Sequence, residues 1–411
     1  MHPFFIFNLE IHFYQPNRPA MKPLIFIPFY LLCLSLAGQS ASHDSLIQAT
    51  VEKYRAHQSL SYTIDYTMKF FDSDEPIHLQ SEVFLIRSAN DTIFKGSFLY
   101  GRQDSVNHYY KYYHPESLYI IDVKHQKITS YDASLQQTSP IHGNIDGNVL
   151  RVNFFEPERL LKKLQNTDNT WSATDSAHFL NIHIRYPDDE DFHGKEEHIY
   201  IDKNTLTIPI ITYQAKYEDQ IQQNRWHLKD MTFDRIGEAD LAAKVAPYMS
   251  TLPVEKYQPR TEADLKLMEN GTPAPPLTGH WYPDYTQSAE APWEKITILD
   301  FWYTSCMPCI KTIPHLNRLQ EKYSDHLQII GVNPIEKKEK DSERIARFLQ
   351  RTPMDYPILF PDEIPAVYNI KAYPTLYILD AQGIVRFSKI GHSEDTFEEL
   401  DKVISELIQS R

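Results

Sequence analysis

Cysteine is scarce in this chain: three occur in 411 residues, at Cys33, Cys306 and Cys309. So few thiols exclude a small fold stapled by several disulfides. Basic clusters are missing too. With 41 Lys and Arg against 55 Asp and Glu, the net charge is −14, and no electrostatic footprint for nucleic acid is present. Internal repeats and low-complexity tracts are absent and long polar runs are rare, which excludes large-scale disorder. No second C-x-x-C and no well-spaced H-x-x-x-H accompanies the close cysteine pair, so a zinc site lacks the rest of its roughly four ligands. The apolar N-terminal run is too short, and too broken by proline at Pro23 and Pro28, to supply the ~20 residues of a membrane span.

That run reads instead as a cleaved secretory signal. Met21-Lys22 gives a short basic start, Leu24–Leu36 the apolar core, and Ser35 and Ala37 the small residues of a cleavage site. The pattern begins at Met21, so residues 1–20 read as an over-called extension, and 1–41 as signal plus extension. The bulky Leu32 before Cys33 argues against a lipoprotein acceptor. Removal of the signal leaves two cysteines, both in Cys306-Met307-Pro308-Cys309. A secreted chain whose only thiols form one C-x-x-C is catalytic more often than stapled.

What the chain does have is that pair in a telling place. Ile298-Leu299-Asp300-Phe301-Trp302 is an apolar, β-prone run, and a helical pattern starts at the cysteines. Two thiols two residues apart can close and open a disulfide within one turn. The N–H groups and positive dipole end of a helix start lower the pKa of the first thiol, and the thiolate is the attacking species.

Residues 42–240 read as a β-rich domain. A helix pattern at Ser45–Gln58 precedes alternating runs at Tyr62–Phe70, Ile77–Arg87, Thr92–Tyr100, Val106–Tyr113, Ser117–Val123 and Lys127–Tyr131. A helix follows at Pro157–Gln165, then strands at His178–Tyr186, Lys195–Asp202, Pro209–Tyr217 and Gln222–Phe233. Turns such as Asp72-Ser73-Asp74 separate them. Mainly antiparallel strands with helices imply a curved sheet or open barrel. The opening helix, the Tyr62–Phe70 strand and His198-Ile199-Tyr200-Ile201-Asp202-Lys203-Asn204-Thr205 resemble the LolA-like lipoprotein-carrier fold, which implies an apolar ligand. The acidic Asp188–Asp191 run reads as a solvated hairpin tip. The scattered histidines, lacking ligand spacing, read as structural, so no metal site is expected. Residues 241–270, rich in proline, read as a linker.

From 271 to 411 strands and helices alternate, as in an α/β domain. Asp300 lies six residues before Cys306, Phe301-Trp302 follows it, Pro314 lies five residues after Cys309, and Tyr373-Pro374-Thr375 comes later. In that order these features resemble the thioredoxin fold. The long gap to Pro374 and the Gly271-Thr272-Pro273-Ala274-Pro275 lead-in resemble its extracytoplasmic TlpA/ResA-like branch. The resemblance implies a buried Asp300 and a cis bond before Pro374 facing the disulfide. It also implies a substrate surface around Trp302, Met307, Pro308, Tyr373 and Thr375. Thr312 departs from it, standing where the branch often has a carboxylate. Cys306 is then expected as an exposed nucleophile, Cys309 as the resolving thiol and Asp300 as acceptor of its proton, with a pKa raised by burial.

The expectation is an extracytoplasmic, periplasmic thiol–disulfide oxidoreductase acting on protein substrates. It needs no cofactor beyond its redox-active disulfide and draws electrons from a membrane-bound donor. The rival is an apolar-ligand or lipoprotein carrier with a thioredoxin docking module.

Overall fold

The computed structural model describes residues 33–411 apart from 72–74, 105–106, 115–116, 133–153, 218–219, 259–260, 262, 287 and 411; for 33–42 and 339 the backbone alone is described. Most of the signal segment and the Asp72-Ser73-Asp74 turn therefore lie outside the described residues. Among the described residues no helix is long and apolar enough to cross a membrane. The chain divides into two compact units between Pro259 and Arg260.

In the first unit the period-two pattern becomes a twelve-stranded sheet. Its strands are β1 (Ser59–Lys69), β2 (Ile77–Arg87), β3 (Gly96–Gln103), β4 (His108–His114), β5 (Ser117–Asp122), β6 (Lys127–Asp132), β7 (Thr170–Asp175), β8 (Phe179–Arg185), β9 (His193–Asp202), β10 (Thr207–Tyr217), β11 (Gln220–Phe233) and β12 (Val254–Lys256). The order is β12-β6-β5-β4-β3-β2-β1-β11-β10-β9-β8-β7. The ladder does not close, and the open sheet ends in β12 and β7. Alternation along β3 assigns the two faces. Phe98 and Tyr100 join the core beneath α1 (Cys33–Ala56) and α2 (Glu158–Gln165), with Ile47, Val51, Tyr54 and Leu160. Leu99 points the other way, to Tyr112, Ile121, Ile128 and the helix α3 (Glu238–Met249) through Leu241 and Val245.

Helix α3 and strand β12 correct the linker expectation for 241–270. The Asp240 carboxylate accepts the Gly237 N–H at 2.8 Å and starts the helix, while Pro247 within it breaks the helical pattern in the sequence. The late start of β3 has a similar local cause. Asp91 accepts the N–H groups of Ile93, Phe94 and Gly96 and the Tyr113 hydroxyl, which holds residues 91–96 in a turn where Thr92 was expected to open a strand.

The second unit is a seven-stranded sheet ordered β14-β13-β17-β16-β15-β18-β19. Its strands are β13 (Thr278–Trp281), β14 (Ser288–Glu290), β15 (Ile296–Phe301), β16 (Leu327–Val332), β17 (Ile358–Pro361), β18 (Thr375–Leu379) and β19 (Val385–Ile390), and its helices α4 (Met307–Lys322), α5 (Lys338–Arg351) and α6 (Thr396–Gln409). Strands β15, β16 and β17 run parallel, and β18 is antiparallel to β15. Every residue of β15 is buried, as expected for a strand covered on both faces. Ile296 and Ile298 pack with Leu316 and Leu319 of α4 and Leu400 and Ile404 of α6. Leu299 and Phe301 face Tyr368 and Tyr377.

Gly331 stands opposite Asp300 in this sheet. A Cβ there would lie 2.8 Å from the Met354 methyl, 2.9 Å from Trp302 Nε1 and 3.3 Å from the Tyr356 ring. Gly331→Ala is therefore expected to overpack the strand and cost about 1–3 kcal/mol, read as a lower urea midpoint; an unchanged midpoint would show that the pocket yields.

Candidate active site

The turn from β15 into α4 carries the cysteines. Cys306 is the N-cap of α4: its backbone is extended and its Sγ accepts the Cys309 N–H at 3.2 Å. Its carbonyl accepts the Ile310 N–H at 3.0 Å, and its own N–H donates to the Tyr303 carbonyl at 3.2 Å. The two cysteines form a disulfide with Cα atoms 5.2 Å apart. Both sulfurs thus sit in the first helical turn, among N–H groups with no helical acceptor. Pro308 is tolerated there because its missing N–H would have been one of these; Pro314 lies inside the helix.

Cys306 is only 2% exposed and Cys309 1%. The expectation of an exposed nucleophile is corrected: in the oxidised chain both residues are buried. The capping role explains this for Cys306, since turning its side chain back over the helix start points it away from solvent. Ser305 is exposed and Pro308 half-buried.

The Tyr373–Pro374 bond is cis. Phe301 pairs with Thr375, which places Pro374 at the same end of the sheet as the turn leaving β15. There Tyr303 meets Tyr373 edge-on, ring centroids 5.2 Å apart. Pro374 is buried and its carbonyl accepts the Gly391 N–H at 2.8 Å. Of the five residues expected to form a substrate surface, Pro308 and Tyr373 are partly exposed. The other three are corrected. Trp302 is fully buried and stacks on Phe348 at 5.3 Å. Met307 is buried in the first turn of α4. Thr375 is fully buried, its hydroxyl donating to the Ala372 carbonyl at 2.8 Å.

Asp300 is 1% exposed. It shares the β15 face of Ile296 and Ile298, on which α4 packs. The Tyr356 hydroxyl donates to its Oδ2 at 3.1 Å, and Oδ1 has no hydrogen-bond partner. Burial pushes its pKa up to about 7, against the opposing pull of the Tyr356 hydrogen bond. Burial likewise raises the Tyr356 phenol, helped by the nearby Asp300 charge, so Tyr356 remains a donor. Thr312 donates to the Pro308 carbonyl at 2.9 Å and meets His392 Nδ1 at 3.1 Å. A neutral hydroxyl paired with a histidine thus occupies the place of the absent carboxylate.

Sequence reasoning missed Glu336. Buried in the loop between β16 and α5, it accepts the Thr304 N–H at 3.1 Å and the Thr304 hydroxyl at 2.8 Å, and it bonds Asn333 and Arg344. It fixes the turn that delivers Cys306. Burial raises its pKa despite these partners. Nothing in Asn333-Pro334-Ile335-Glu336-Lys337 sets it apart from nearby surface acids. Glu336→Ala would remove the acceptor of both Thr304 bonds and one of the two carboxylates beside Arg344. The expected cost is on the order of 3 kcal/mol with a several-fold fall in disulfide exchange, measured by urea unfolding and by turnover. Wild-type values for both would make Glu336 a bystander.

A disulfide capping the helix after a central parallel strand, with a cis-proline at the same end of the sheet, defines a thioredoxin fold. Residues 271–388 match the AhpC/TSA family. The chain is 31% identical over 136 residues to thioredoxin-like protein YneN of Bacillus subtilis, covering 33% of this chain and 79% of that protein. It is 30% identical over 114 residues to the thiol–disulfide oxidoreductase ResA of Halalkalibacterium halodurans, covering 27% of this chain and 62% of that protein. The solved structure of StoA from Bacillus subtilis aligns at 24% identity and a TM-score of 0.26, covering 32% of this chain and 98% of that one. Through its second unit the chain belongs to the thioredoxin-like proteins of the AhpC/TSA family. It is an enzyme of their thiol–disulfide oxidoreductase class.

Proposed function

We propose that the protein exchanges disulfides with protein substrates outside the cytoplasm, using Cys306 and Cys309 as its redox pair. The observation that carries this reading is the disulfide at the N-cap of α4, where helix-end N–H groups stabilise a Cys306 thiolate once the bond is opened. In the reduced enzyme the Cys306 thiolate attacks a substrate disulfide. One substrate sulfur leaves as a thiolate and takes a proton, and a mixed disulfide forms. Cys309 loses its proton to the unpartnered Oδ1 of Asp300, directly or through water, and attacks Cys306 Sγ. The Cys306–Cys309 bond closes as the second substrate sulfur leaves as a thiolate and takes the proton that Asp300 gives up, so the substrate departs as a dithiol. Two electrons and two protons have passed to the substrate, and an external dithiol, a membrane-bound donor in this reading, restores the pair. Pro308, Tyr373 and the exposed Ser305 form the approach for the partner. The extracytoplasmic setting rests on the signal pattern at Met21–Gly38.

The cleft formed by the described residues of the first unit does not favour the carrier alternative. It measures about 500 Å³, lies on the sheet and is lined largely by polar and charged side chains, among them Asp65, Gln80, Glu82, Arg102, Lys229 and Asp230. The test of the main reading is capture of envelope proteins by the Cys309→Ser variant. Mixed disulfides that release under dithiothreitol are expected. Their absence, with a trap that is folded and reduced, would remove the proposed exchange.

A further inference from the structure

The first unit brings together three metal-ligating side chains that lie far from any ligand spacing in the sequence. His183 on β8 stands directly across from His198 on β9, and Glu196 lies two residues from His198 on the same face. A ring nitrogen of each histidine and a carboxylate oxygen of Glu196 lie within 4.8 Å of one another. The two imidazoles stack at 4.2 Å between centroids and 9° between planes. His183 Nε2 is buried, lies 3.3 Å from Glu196 Oε2, and makes no aligned hydrogen bond. His198 Nδ1 lies 3.3 Å from both the side-chain oxygen and the side-chain nitrogen of Asn181. With the amide oxygen as acceptor, Nδ1 carries the ring hydrogen and Nε2 is left as the electron-pair donor.

We infer that His183, Glu196 and His198 form a binding site for a borderline divalent transition ion, with Zn²⁺ as its representative. Two imidazoles and one carboxylate suit that ion, and three protein ligands leave a fourth position for water or an external donor. Hard oxygen-seeking ions such as Ca²⁺ and Mg²⁺ are not matched by imidazole. Binding would turn the stacked rings apart until both nitrogens point at one centre. It would also draw Glu196 from its 3.4 Å contacts with Arg185 and Gln214, both of which are long enough to yield. The strands fix the backbones, so only side-chain rotation is needed.

The test uses the untagged full chain carrying Cys33→Ser, with its disulfide kept oxidised, so that no thiol competes. Equilibrium dialysis against Zn²⁺ should give one ion per chain. His198→Gln and Glu196→Gln should each weaken binding at least tenfold while far-UV circular dichroism is unchanged. Co²⁺ should give visible d–d bands that are lost in His198→Gln. Absence of binding at micromolar Zn²⁺, or equal affinity in both folded variants, would overturn the inference and leave the histidines as ordinary packing.

Discussion

Cys306→Ser is expected to bring insulin-disulfide reduction down to the uncatalysed background, because no other described thiol can replace the attacking sulfur at the helix start. Cys309→Ser should fail to turn over yet accumulate mixed disulfides, since the first bond still forms and nothing resolves it. The split between the variants is informative. A passive structural disulfide would lose stability equally in both and catalyse nothing in the wild type. Burial of both cysteines sharpens the test. Dithiothreitol should open the wild-type bond under native conditions, and thiol labelling should then modify Cys306 before Cys309. Wild-type activity in Cys306→Ser, or a bond that dithiothreitol opens only after unfolding, would sink the assignment.

Asp300→Asn carries the second large effect, and its sign is opposite to that of most carboxylates. An ordinary salt-bridged aspartate has a depressed pKa and stabilises the fold above it. Asp300 is raised by burial to about 7 from 3.8. Between those values the folded chain holds a proton that the unfolded chain has lost, so stability falls as pH rises from about 4 to about 7. Three pH units at about 1.4 kcal/mol each put the penalty above pH 7 on the order of 4 kcal/mol. Asp300→Asn keeps the shape and cannot ionise. In the oxidised protein it should match wild type near pH 4 and exceed it at pH 8, read by urea unfolding. Exchange should change in the opposite sense: the variant should be slower and should lose an inflection near pH 7. Parallel stability curves would show that Asp300 is neutral for another reason. An unchanged rate profile would remove it from proton transfer.

Legibility differed between the two units for physical reasons. Strand β15 and helix α4 were visible because an unbroken apolar run and a helical pattern are local signals. The boundaries of β2 coincide with the alternating run Ile77–Arg87, a local signal of the same kind. Helix α3 was hidden by Pro247 and by a short apolar stripe that packs on the outer face of the first sheet. The start of β3 was hidden because Asp91 spends its carboxylate on three backbone donors, which the alternation of Thr92–Phe94 does not reveal. The resemblance put Trp302 on the substrate surface, but the strand parity that turns Asp300 toward α4 leaves Trp302 against Phe348.

The sequence by itself determined the close cysteine pair and its place at a strand–helix junction, because both depend on neighbours along the chain, while the buried acid six residues upstream was implied by the resemblance to the thioredoxin fold. Only the tertiary structure decided that Cys306 is closed off when oxidised, that Glu336 holds the turn before it, that Tyr356 holds Asp300, and that His183, Glu196 and His198 meet. Those arrangements join residues from separate strands and helices. Sheet register and helix packing set them, and no local pattern encodes either.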